Sequence, residues 1–101
     1  MTRRLNILPQ AELDVGDATA WYEEQRKGLG SELLDELDSV VKRVVESPFQ
    51  FPQIKNDIRR ALLHKFPYSV YLRVRNEIIE LIAVLHLHRD PRTWEERIIS
   101  E

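Results

Sequence analysis

The chain has 101 residues, 43% of them hydrophobic, a formal net charge of −2 and no cysteine. One core serves about 100–200 residues, so a single domain over residues 1–101 is expected. The absence of cysteine excludes disulfide scaffolds, thiolate zinc sites and cysteine nucleophiles. No run approaches the ~20 apolar residues of a membrane span. Met1-Thr2-Arg3-Arg4-Leu5 lacks the apolar stretch of a secretory signal, so a cytoplasmic chain without membrane contact is expected.

Arg4 to Leu8 alternates, with Leu5 and Ile7 on one face, and reads as a short first strand. Pro9 opens a helix, where its missing N–H would lack a partner anyway, and Glu12 and Asp14 suit the positive end of the helix dipole. Ala11, Val15, Ala18 and Tyr22 follow helical spacing beside Trp21, and Gly16 is expected at a tight crossing or bend. Lys27-Gly28-Leu29-Gly30-Ser31 ends that helix in a turn. Leu29, Leu33, Leu37, Val40, Val41 and Val44 then line one face of a second helix, which Ser47-Pro48 stops. The two helices form an antiparallel hairpin with a shared apolar face.

Phe49-Gln50-Phe51-Pro52 reads as a loop, followed by strands over about 58–65, Ser69–Arg75 and Glu77–Leu87. Val70, Leu72 and Val74 alternate with Tyr71, Arg73 and Arg75, as in a half-exposed strand. Ile78 to Leu85 is nearly continuous apolar and predicts a central strand. Asp90 and Pro91 cap and open a last short helix. The order is β-α-α-β-β-β-(α), an α+β fold with an antiparallel sheet and a helical hairpin packed on one face. The first strand is expected antiparallel to the second and fourth, with the other sheet face left for solvent or a partner.

Charge is uneven along this order. Residues 1–50 hold 6 Lys/Arg against 10 Asp/Glu, giving −4, and residues 51–101 hold 9 against 7, giving +2. Lys55, Arg59, Arg60, Lys65, Arg73 and Arg75 cluster near Asp57 alone. A dedicated nucleic-acid binder is far more basic, so no direct nucleic-acid binding is expected.

His86 and His88 lie two apart on a strand and project from one face, a spacing that can bind metal. Glu80 shares that face by alternation but stands six residues, or ~20 Å, from His86 at ~3.3 Å per residue. No third ligand is in reach, and neither a metal nor a cofactor is expected. There is no G-x-S-x-G and no phosphate-cradling glycine loop. The tail from His88 through Arg89, Asp90, Pro91 and Arg92 to Trp94 groups cationic and aromatic residues at the end of the central strand. It reads either as a cap and core plug or as a functional surface.

Several of these pieces occur together: Gly28-Leu29-Gly30, Pro48 with Pro52, Ile58-Arg59-Arg60, Lys65-Phe66-Pro67-Tyr68-Ser69-Val70-Tyr71, Val84-Leu85-His86, and Arg89-Asp90-Pro91 with Trp94. In order and spacing they resemble toxins of the RelE/ParE superfamily from bacterial type II toxin–antitoxin modules, over nearly the whole chain. The resemblance implies a cognate antitoxin as partner. It implies one of two targets: DNA gyrase, blocked by binding in ParE-like members, or ribosome-bound mRNA, cut in RelE-like members. The chain departs from the RelE pattern. Ser69 stands where a catalytic arginine is expected, and Trp94 stands about where a tail tyrosine would be. An indole donates through N–H but cannot shuttle a proton as a phenol can. The ParE-like reading puts the target surface on Arg89, Arg92, Trp94 and Arg97, with no catalytic residue. The nuclease reading would rest on Lys65, His88 and Arg89, and a toxin fold kept only as a binding module is the third alternative.

Overall fold

In a computed structural model, residues 3–89 and 91–99 are described. Strand β1 (Arg4–Ile7) leads into helices α1 (Pro9–Gln25) and α2 (Leu29–Glu46), and a 3-10 turn over Pro48–Gln50 follows. Strands β2 (Gln53–Lys55), β3 (Ile58–Leu62), β4 (Tyr68–Arg75) and β5 (Ile78–His86) come next, and then helix α3 (Arg92–Ile99). The five strands form one sheet in the order β1-β5-β4-β3-β2. The α+β architecture with a helical hairpin on the sheet is the expected one. Among the described residues no helix is long and apolar enough to cross a membrane.

Strand β2 is an addition to the expected order, and it changes the direction of the first strand. Asn56, at φ 52°, turns β2 back into β3, and the two pair antiparallel. One more reversal before the meander means that β5 runs with β1 rather than against it. Arg4 to Ile7 therefore pair in parallel with Ile78 to Leu81, and the sheet is mixed, not wholly antiparallel. Strand β3 also stops at Leu62, short of the expected 65. The backbone N–H groups of His64 and Lys65 donate instead to the Glu36 carboxylate of α2, at 2.6 and 3.0 Å.

The apolar run of β5 serves two cores because it is bulged. Tyr71 pairs with Ala83 and Leu72 with Leu81, leaving Ile82 as the extra residue. Ile79, Leu81 and Val84 face the hairpin, where they meet Leu33, Leu37, Val40 and Val44 of α2. Val41, expected to be as buried as these, is only half-buried at the edge of that cluster. Ile82, Ala83 and Leu85 face the other way and pack with Ile58, Tyr71 and Trp94. The sheet face expected to be open is thus partly covered by α3. The expected Asp90 cap lies outside the described residues.

Two glycines have structural reasons: Gly28 makes the expected turn, and Gly30, not Gly16, marks the tight crossing. Gly28 takes φ 92°, the left-handed conformation that turns α1 into α2. Gly30 is where the helices touch: a Cβ there would lie 2.9 Å from the Thr19 carbonyl oxygen. Gly16, expected at a crossing, has nothing within 4 Å of a built Cβ and faces open space.

Candidate functional site

A cleft of about 210 Å³ opens where β5 ends, between α1 and β4, and its lining includes Asp14, Asp17, Trp21, Tyr68, His86 and Arg89. It is built on rings in sequence. Trp21 meets Tyr22 edge-on at 4.9 Å, Tyr22 meets Tyr68 at 6.0 Å, and Tyr68 meets His86 at 5.3 Å. His86 then stacks on His88 at 5.1 Å. The bulge makes this possible, since the shift of one residue at Ile82 turns His86 to the hairpin face, where α1 presents Trp21 and Tyr22. The same shift separates His86 from Glu80, which pairs instead with the fully buried Arg73 on the opposite face, at 2.9 Å. The alternation-based expectation that Glu80 shares a face with the histidines is therefore corrected.

The floor of the cleft is pinned by Asp14. Its carboxylate accepts from both Arg97 guanidinium nitrogens, at 2.6 and 2.9 Å, and from the Val84 N–H at 2.9 Å. Arg97 also donates to the Ile82 carbonyl at 3.2 Å, so one arginine ties α3, the bulge and α1 together. Bidentate pairing of this kind fixes geometry as well as adding energy. Burial pushes both phenols above their usual range. For Tyr68 the neighbouring Tyr22 adds to the effect, Arg89 opposes it and Asp14 raises it further. Both tyrosines are neutral hydrogen-bond donors at physiological pH, not phenolate bases.

The residues singled out from sequence fall into three groups. Arg89 is exposed and lines the cleft, His88 is exposed with its ring stacked on His86, and Arg92 is exposed on α3. Trp94 and Arg97, expected on a target surface, form the inward seam of α3 instead, Trp94 buried and Arg97 half-buried. Trp94 is 5% exposed and stacks on Tyr71 at 5.4 Å with an interplanar angle of 19°. Spacing explains this, because residues 94, 97 and 98 lie on one side of a helix. Lys65 lines an acidic hollow with Glu32, Asp35 and Glu36, and Arg89 lines the other cleft. Ser69 is fully buried and its hydroxyl has no hydrogen-bond partner. Among the described residues no group of three or more His, Asp or Glu is placed to hold a metal ion.

A second feature lies along the sheet edge. Leu5 and Ile7 of β1 face Leu34, Leu37 and Val41 of α2 across a groove of about 320 Å³. Leu5, Ile7 and Leu34 are 38%, 39% and 44% exposed, which leaves the groove open along its length.

No family model matches the chain. The curated Toxin ParE2 of Mycobacterium tuberculosis, present in two strains, is 30% identical over 99 residues, spanning 97% of this chain and 94% of the relative. The chain belongs to the RelE/ParE toxin superfamily. Solved structures agree on the fold. A chain of the chromosomal ParDE TA system from P. aeruginosa superposes with a TM-score of 0.75 at 17% identity, covering 84% of this chain and 96% of that one. A mutant E. coli toxin RelE in the free state gives 0.72 at 17% identity, covering 99% and 98%. Trp21, Asp14 and Asp17 line the cleft without standing out in the sequence as site residues. The available signals were an exposed-side tryptophan and carboxylates on α1 that the helix face alone does not require.

Proposed function

We propose that the chain acts by binding and inhibiting DNA gyrase and is neutralised by a cognate antitoxin. The observation that carries this reading is the fate of the nuclease positions. The Ser69 hydroxyl is buried without a partner, Trp94 is a core plug, and Lys65 lines an acidic hollow to which Arg89 does not contribute. General acid–base cleavage needs such groups within hydrogen-bond reach of one substrate. Binding needs only a surface, and the cleft mouth with Arg89, His88 and Trp21, continued by Arg92 on α3, supplies aromatic and arginine anchors of the kind that dominate interfaces. The groove between β1 and α2 suits the apolar anchors of an antitoxin segment that folds as it docks.

Purified gyrase supercoiling is the direct test. Arg89→Ala and Arg92→Ala are expected to weaken inhibition, while Lys65→Ala leaves it unchanged. Cuts in translated mRNA by primer extension, lost in a Lys65→Ala/Arg89→Ala double variant, would replace this reading with the endonuclease one. Normal growth on induction without antitoxin would leave a binding module. Leu34→Glu in the groove is expected to abolish co-purification with the antitoxin while sparing the gyrase effect.

A further inference from the structure

We propose that His86 is a protonation-controlled latch on the turn that leaves β5, closed when its ring is neutral and released when its ring takes up a proton. The Nδ1 atom of His86 accepts a hydrogen bond from the backbone N–H of His88 at 3.1 Å. A ring nitrogen that accepts carries no proton, so this bond belongs to the neutral ring bearing its hydrogen on Nε2. A second proton goes to Nδ1. It turns the acceptor into a donor facing another donor, and the bond is lost.

The neighbours localise the effect. The Leu87 N–H is held by the Pro67 carbonyl at 2.9 Å and the Arg89 N–H by the His86 carbonyl at 3.0 Å. Between these fixed points the His88 amide depends on the His86 side chain. The groups that face His86 are Tyr68 of β4, Asp14, Asp17 and Tyr22 of α1, and His88 and Arg89 of its own turn. Asp14 is already engaged by Arg97 and the Val84 N–H, and Asp17 is the other carboxylate that lines the cleft. Arg89 opposes an imidazolium at His86, as a second cation lining the same cleft. What the latch frees is the His88 amide, one residue before Arg89 at the rim of the cleft.

The test is hydrogen exchange and NMR on the isotopically labelled chain. As the His86 ring is protonated, exchange of the His88 amide should accelerate about tenfold beyond its intrinsic pH dependence, the loss expected of one hydrogen bond. In His86→Asn the side-chain oxygen stands where Nδ1 stood and does not titrate, so protection of the His88 amide should persist at every pH. His88→Asn should keep the wild-type response, because the backbone donor remains. The latch is overturned if the His88 amide ignores protonation of His86, or if His86→Asn retains the acceleration. It is equally overturned if His88→Asn abolishes the response, which would assign the effect to repulsion between the two rings.

Discussion

Replacing Gly30 with alanine would put a methyl group 2.9 Å from the Thr19 carbonyl oxygen, 3.0 Å from a Glu23 carboxylate oxygen and 3.1 Å from Thr19 Cγ2. Two of these atoms belong to Thr19, and one is backbone, so a rotamer change in Glu23 cannot relieve the clash. α1 and α2 must separate by several tenths of an ångström. Overpacking of this kind costs about 1–3 kcal/mol, against roughly 1 kcal/mol regained in helix propensity. A net destabilisation of up to about 2 kcal/mol follows. Gly16→Ala is the control, since it places the same methyl in open space and should stabilise by about 0.5–1 kcal/mol. Urea unfolding of both variants should therefore show midpoints moving in opposite directions with an unchanged slope. A Gly30→Ala protein as stable as the parent would refute the close crossing, and a destabilised Gly16→Ala would show that α1 packs on its outer side.

Leu37→Ala should cost about 2–5 kcal/mol in the same assay, and a loss below about 1 kcal/mol would mean that another face of α2 meets the sheet. Trp94→Ala should cost about 3–5 kcal/mol and Arg92→Ala no more than about 0.5 kcal/mol; near-equal effects would place the indole on the surface rather than against Tyr71. The Glu23 carboxylate accepts from the Gly28 and Gly30 N–H groups, each at 3.0 Å, and these bonds hold its carboxyl below the ordinary glutamate range. A lowered folded value means its contribution is complete above the unfolded value and disappears as pH falls through the folded one. Glu23→Gln should therefore flatten the loss of melting temperature below about pH 5, and identical acid slopes in parent and variant would refute the role.

The hairpin was legible because α2 carries one unbroken apolar stripe, and periodicity is the strongest local signal a chain offers. The direction of β1 was not, because it hinges on β2, three residues whose pattern Gln53-Ile54-Lys55 is too short to register as alternation. The pair Asn56-Asp57 was the available clue, since asparagine tolerates the positive φ that a tight turn requires. The cleft was half-legible. His86 and His88 stood out, but their partners depend on a bulge at Ile82, and an apolar run shows no parity to be shifted. Arg97 looked like a surface cation because its counter-ion, Asp14, lies 83 positions earlier in the sequence. Only the fold brings such a pair together.

The parallel pairing of β1 with β5 sets the order in which the molecule can be finished. Arg4 waits for Ile78, 74 positions further on, and every other rung of that ladder spans the same distance. Contacts so remote in sequence form slowly, because the loop must close before any reward is collected. During synthesis Leu5 and Ile7 leave the ribosome long before their partners exist, and until β5 arrives they form one wall of nothing. Any binder that needs both β1 and α2 therefore meets its complete surface only after β5 has been made. A partner seated in that groove would bind the finished chain, not the nascent one.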